Sequence, residues 1–313
     1  MNKEHEETKN NIFLDARENI VIIKPPEDFS FNECLIFLDR SNNEVLHNVV
    51  EHSFIKLIKI NNEMVLIKVY EENGSLLIEL QNQPFNEDIK LQAANYIWDL
   101  FDLDRNLDRF YELATQDDML NSLIKKFLGL RLIGIPDLFE ALCWAIMGQQ
   151  INLTFAYTLK RRFVEKYGEH FNWHDESYFL FPTPDVIAKL EISDLTSLQF
   201  TQRKAEYVIG IAKLMFEGKL SKEIIEDSGN YEHKCKHLIS IRGIGNWTAD
   251  YVLMKCVKEL SAFPIADVGI HNALKMQLGL NKKPTIEEIK ELAKKWSGWE
   301  AYVTFYLWRS LYS

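Results

Sequence analysis

The stretch Ile241-Arg-Gly-Ile-Gly-Asn-Trp247-Thr-Ala-Asp-Tyr251 constrains this chain more than any other. Two glycines one residue apart, between helix-forming runs, read as a tight hairpin joining two helices over residues 236–258. Gly243 and Gly245 carry no Cβ, so the backbone N–H groups of the turn stay approachable. From Thr248 to Lys258 the pattern continues as a helix. A turn that feeds a helix N-terminus gathers free amides at the positive end of the helix dipole, which suits an anion such as one backbone phosphate. The same pattern also suits an ordinary interhelical turn. Asp267 follows Trp247 by twenty positions, in the apolar run Ser261-Ala-Phe-Pro-Ile-Ala-Asp267 just before a helical pattern from Val268 to Leu278. An Asp in that position serves as an N-cap, as a carboxylate kept for chemistry, or as both.

The rest of the chain divides by periodicity. Residues 1–10 read as a polar, disordered tail, and residues 11–86 as a small α+β domain. Ile20–Lys24, Phe54–Ile60, Met64–Tyr70 and Leu76–Leu80 have strand character. Asn61-Asn62 and Glu72-Asn73-Gly74 supply turns, so the last three strands form an antiparallel meander. One amphipathic helix is expected over Phe29–Arg40. After Gln83-Pro84 the pattern is helical throughout, giving an all-α region over residues 87–313. The fold class expected is therefore α+β, with an N-terminal antiparallel sheet followed by two helical subdomains and a cleft between them.

Charge is uneven. The net charge is −10, made of about −13 over residues 1–120 and about +3 over the remainder. The second part carries the basic clusters Lys160-Arg161-Arg162, Arg203-Lys204 and Lys282-Lys283, each a solvated face or a phosphate contact. Lys204 and Lys213 fall on the exposed face of an expected helix from Gln202 to Phe216. Four scattered cysteines suggest buried, reduced thiols, and neither a signal-peptide core nor a membrane-length apolar run is present. A cytoplasmic, monomeric protein is the expectation, nucleoid-associated if bacterial. Asp102, Asp104 and Asp108 lack the Gly and Glu of a calcium loop and read as caps and solvated charge. His233, Cys235 and His237 lack a fourth ligand for zinc.

The hairpin with Asp267 resembles the helix-hairpin-helix (HhH-GPD) DNA glycosylase superfamily, and within it the 3-methyladenine DNA glycosylase II (AlkA) type. The resemblance covers nearly the whole chain and is most specific from Leu128 to Ser313. It implies double-stranded DNA with damaged bases as partner, no membrane, and base excision as the reaction. Asp267 would be the catalytic carboxylate, and Gly243 and Gly245 the phosphate anchor. Trp247, Tyr251 and Trp308 would form the base pocket, although each aromatic taken alone reads as core. Gln150, after the Gly148-Gln149 corner, would enter the space left by the extruded nucleotide, where the type member carries an apolar wedge. No cofactor or catalytic metal is implied beyond room for a monovalent cation where hairpin meets phosphate. No Cys-rich cluster for an iron–sulfur centre follows the last helices.

The chemistry fits those residue types. A damaged base must leave the stack before its glycosidic bond can be reached. Bond breakage leaves positive charge on the sugar, which a carboxylate stabilises while it polarises water. Cationic or electron-poor purines such as 3-methyladenine and 7-methylguanine stack on electron-rich aromatics. Bifunctional relatives carry a nucleophilic Lys where this chain has Trp247, so the resemblance implies a monofunctional enzyme that leaves an abasic site. Two other readings are a glycosylase for oxidised or deaminated bases and a non-catalytic sensor of damaged DNA.

Overall fold

The computed structural model describes residues 11–15, 17 and 19–312, so the expected tail over residues 1–10 lies outside the described residues. Six antiparallel strands form one sheet: β1 (Ile12–Leu14), β2 (Ile20–Ile23), β3 (Asn48–Val50), β4 (Ser53–Ile60), β5 (Glu63–Glu72) and β6 (Ser75–Leu80). Their order is β1-β2-β6-β5-β4-β3. The meander β4–β5–β6 follows the turn signals. Asn61-Asn62 and Asn73-Gly74 both take positive φ at each central residue, as the right-handed twist of a two-residue hairpin requires. Strand β3 was not legible, because its turn onto β4 uses Glu51 and His52, which adopt the same left-handed conformation without the usual Asn or Gly.

Side-chain alternation decides what each face of the sheet meets. Phe54, Ile58, Val65, Ile67, Val69, Leu76 and Ile78 join the main core with the helices Phe31–Leu38 and Glu87–Leu100. Leu57 and Leu66, paired across β4 and β5, face the other way and pack on Tyr178. Tyr178 belongs to a two-stranded hairpin, β7 (His170–Trp173) and β8 (Glu176–Phe179), within the region that sequence read as wholly helical. Their alternation, His170-Phe171-Asn172-Trp173, puts Phe171 and Trp173 on that small cluster, but four residues are too short a run to stand out from the helical pattern on either side.

The helical part supplies the expected elements. The helix Leu138–Gly148 is buried on almost every side, and Leu153–Tyr167 follows it after a sharp corner. The hairpin helix Asn246–Val252 continues as a π-helical turn over Leu253–Val257 rather than as regular α-helix, and ends at Lys258 in the left-handed conformation. Asp267 caps the helix Val268–Gln277, and Tyr302 and Phe305 of the C-terminal helix Glu300–Arg309 are fully buried, as expected.

Charges foreseen as surface turn inward. Lys160 and Glu44 are both buried and pair at 2.9 Å, joining the helix Leu153–Tyr167 to the N-terminal domain. Arg161 donates to the carbonyls of Asn42 and Glu44 beside them. Burial pushes the Glu44 carboxyl up, but Lys160 and His47 outweigh it and hold it well below the usual range. Lys204 is also buried, not exposed; its Nζ donates at 2.8 Å to the Met147 carbonyl at the end of the Leu138–Gly148 helix. Asp102, expected to be solvated, is buried and accepts from the Tyr302 hydroxyl at 2.7 Å. Each of these groups compensates a buried partner, a demand that local sequence does not show.

Lys160→Met should therefore destabilise the protein by about 3–5 kcal/mol in urea unfolding, because Glu44 is left charged and buried. Adding Glu44→Gln to that variant should recover most of the loss.

Candidate active site

Asp267 stands at the junction of three elements. Its Oδ1 caps the helix Val268–Gln277 by accepting from the Ile270 N–H at 3.1 Å. The same oxygen accepts from Trp308 Nε1 at 2.9 Å, and Oδ2 accepts from Trp247 Nε1 at 3.1 Å. The N-cap is thus the same carboxylate that the sequence marks as the candidate for chemistry, held by one backbone and two indole donors at the positive end of a helix. The His271 ring lies between the carbonyls of Ile265 and Pro284, 3.0 and 3.1 Å away, and ties down the loop that delivers Asp267.

The aromatic side chains make one wall. Trp247 and Tyr251 lie one helical turn apart with ring centroids at 5.6 Å, and Tyr251 and Trp308 at 5.9 Å. Their planes meet at 31° and 35°, so the three rings form a shallow bowl. The bowl opens into a cleft of about 430 Å³ that also takes in Trp144, Asn272 and Tyr312. Burial pushes the Tyr251 phenol above its ordinary range, so it stays neutral. One residue before it, burial raises the Asp250 carboxyl to about 6, with the Tyr231 hydroxyl hydrogen bond only partly opposing.

The two hairpin glycines differ in what they require. Gly243 has φ +98°, and a Cβ there would lie 2.3 Å from the Tyr207 ring. Gly245, at φ −99°, begins the hairpin helix with no side-chain cap, and a Cβ there would meet open space. Gly243 is thus needed for the shape of the turn, while Gly245 leaves its amide end open. Gln149 supports the turn from the neighbouring helix corner, its Nε2 donating to the Gly243 carbonyl and to Thr248 Oγ1, both at 3.0 Å. Gln150 is exposed at that corner with φ +55°, projecting from the surface rather than lining the cleft.

Asp267, Trp247, Tyr251 and Trp308 therefore converge, with the hairpin and Gln150 at the rim. Sequence reasoning missed Gly269, where a Cβ would lie 2.7 Å from Asp267 Oδ1 and 3.0 Å from the Trp308 ring. Its only signal was a glycine in the first turn of a helix, where glycine is unfavourable without a packing reason. It also missed Phe37 and Arg40, which reach the cleft from the N-terminal domain. Among the described residues no cluster of three or more His, Cys, Asp or Glu is placed to hold a metal ion.

Residues 143–298 match the HhH-GPD superfamily of base excision DNA repair proteins, and residues 21–142 match the N-terminal domain of 8-oxoguanine DNA glycosylase. A DNA-3-methyladenine glycosylase of Bacillus subtilis is 43% identical over 297 residues, 94% of this chain and 98% of its own length. The chain belongs to the HhH-GPD superfamily. It is a DNA glycosylase of base excision repair. DNA-3-methyladenine glycosylase 2 of Escherichia coli is 29% identical over 206 residues, 64% of this chain and 69% of that protein. In overall shape the chain is similar to a 3-methyladenine DNA glycosylase from Archaeoglobus fulgidus, with TM-score 0.78 and 23% identity over 92% of this chain and 96% of that one. An 8-oxoguanine glycosylase/lyase from Clostridium acetobutylicum gives 0.74 and 19% over 98% of this chain and all of the other. The α+β fold of this glycosylase is thus shared by enzymes named for different lesions. The lesion is a matter for the cleft.

Gly243→Ala should cost on the order of 1–3 kcal/mol in backbone strain alone, read as a lowered melting temperature. Gly245→Ala should melt close to wild type, within roughly 1 kcal/mol, yet bind damaged and undamaged duplexes more weakly by a similar factor. A lesion-dependent loss in Gly245→Ala would contradict a phosphate-only contact.

Proposed function

We propose that this glycosylase is monofunctional and excises alkylated, cationic or electron-poor purines such as 3-methyladenine and 7-methylguanine from duplex DNA. The observation that carries this reading is the Asp267 carboxylate fixed between the indole N–H groups of Trp247 and Trp308, at the edge of an aromatic cleft. An extruded purine entering that cleft meets π faces along one side while its sugar lies toward Asp267. The C1′–N bond breaks with its electron pair passing to the base, and Asp267 stabilises the positive sugar. Water then adds at C1′ and gives its proton to the carboxylate. The products are free base and an abasic site.

The lack of a strand-nicking step follows from Trp247, which has no amine to attack C1′. The one amine among the cleft-lining residues, Lys255, is buried and donates to the Ile133 carbonyl. The name carried by the Bacillus subtilis relative supports the choice of lesion. The hairpin at Gly243 and Gly245 would hold a DNA phosphate, with room for a monovalent cation at that contact, and the reaction would need no cofactor. Gln150 would fill the gap in the duplex and hydrogen-bond the orphaned base. No helix among the described residues is long and apolar enough to cross a membrane. The protein would act as a monomer in the cytoplasm, on the nucleoid if bacterial.

Incubation with duplex DNA treated with a methylating agent should release free methylpurines, and strand breaks should appear only after alkali. Breaks before alkali, trapped by borohydride as a protein–DNA adduct, would show an amine nucleophile and overturn the monofunctional assignment.

A further inference from the structure

The N-terminal domain supplies the one guanidinium in the cleft. Arg40, two residues past the helix Phe31–Leu38, lines both the cleft and a small polar cavity of about 60 Å³ behind it. Its Cζ lies 4.1 Å from the Phe37 ring centroid and 5.7 Å from that of Tyr157. Nη1 donates to the Phe37 carbonyl at 2.8 Å, and among the described residues Nε and Nη2 find no acceptor. Glu44, which acts on Arg40 at longer range, is committed to Lys160. Behind Arg40, burial first and then the guanidinium itself push the Lys255 amine far below its ordinary range. Arg40 is therefore a fixed positive charge beside a largely aromatic cleft, with N–H groups to spare.

That charge acts in opposite directions on the two kinds of damaged purine. A ring-methylated purine such as 7-methylguanine is a cation in DNA, and it leaves as a neutral molecule without needing an electrophile. Beside Arg40 it meets a like charge in a partly desolvated site. An uncharged damaged purine must leave with an extra electron pair. Hydrogen-bond donors at its ring nitrogens or exocyclic oxygen stabilise that developing negative charge. A half-buried guanidinium without a carboxylate partner also regains hydrogen bonds when such acceptors arrive.

We infer that Arg40 is a specificity residue: it adds uncharged purines with acceptor edges, such as hypoxanthine, to the alkylated bases of the proposed function, and works against cationic 7-methylguanine. This rests on the base-excision reading of the cleft. In the step, the C1′–N9 bond breaks and its electrons pass to the purine. Arg40 shares the resulting charge through N–H contacts while keeping its protons. Water oxygen bonds to C1′, and its proton passes by way of Asp267 to the departing base. The free base and the abasic sugar balance the substrate plus one water. The N-terminal domain thereby takes a part in choosing the lesion.

The test is single-turnover excision from duplexes holding one hypoxanthine or one 7-methylguanine, with wild type, Arg40→Met and Arg40→Lys. Binding to a duplex with a stable abasic analogue is measured alongside. Arg40→Met should slow hypoxanthine release about 10- to 100-fold while leaving 7-methylguanine release unchanged or faster, and abasic-site binding unchanged. Arg40→Lys should fall between, since it keeps the charge but loses the planar fork. An equal loss on both bases with weakened abasic-site binding would make Arg40 a structural support and overturn the inference. Unchanged hypoxanthine release in Arg40→Met would overturn it as well. Release of neither base by wild type would instead strike the base-excision reading itself, an outcome separable from failure of the Arg40 assignment alone.

Discussion

Much of the site depends on one carboxylate and its three N–H donors. Asp267 caps the helix behind it and receives an indole N–H from each side, so one group joins the Val268–Gln277 helix, the hairpin helix and the C-terminal helix. The geometry leaves little slack, since Gly269 has no side chain where one would strike both Asp267 and Trp308. Fixing the carboxylate through stiff rings and a helix end pre-orients it before any DNA arrives. Pre-orientation of this kind lets a single charge act on a transition state without reorganisation at the moment of reaction.

The hairpin and the cleft are coupled through the same residues. Trp247 belongs both to the helix that starts at the open glycine turn and to the bowl beside Asp267. Gln149 joins that turn to the corner where Gln150 is exposed. A phosphate held at the turn, a side chain entering the duplex and a base in the cleft would thus be set at fixed spacing by one rigid hairpin. The acidic N-terminal domain adds to this from below, through Phe37 and Arg40, and is held in place by buried charge. The Glu44–Lys160 pair and the Arg309–Glu33 pair at 2.8 Å lock it to the helical region.

The parts of this arrangement legible in the sequence were those with local signatures. The glycine hairpin, the spacing to Asp267 and the one-turn separation of Trp247 and Tyr251 are all short-range patterns. Asn61-Asn62 and Asn73-Gly74 announced their turns, but Glu51 and His52 adopt the same conformation with no such signal. Basic clusters misled for a different reason. Lys160, Arg161 and Lys204 were candidates for solvent or phosphate, yet they satisfy Glu44, carbonyls of residues 42–44 and the end of a helix. Among those clusters, Arg203, Lys282 and Lys283 remain exposed. Arg40 could not be placed at all, because its approach to the cleft depends on packing between the two ends of the chain, where Phe37 meets Phe305 at 4.4 Å.

The role of Asp267 is tested by binding and single-turnover excision on one lesion-bearing duplex, compared between wild type and Asp267→Asn. The amide still offers an oxygen to the Ile270 N–H and to one indole, so the cleft and hairpin should persist. Binding should stay within about threefold of wild type while excision falls at least 10²- to 10³-fold, the scale for removing one preorganised electrostatic contact. Excision near the wild-type rate, or a parallel collapse of binding and excision in a folded variant, would contradict the assignment of Asp267 as the group that acts on the sugar.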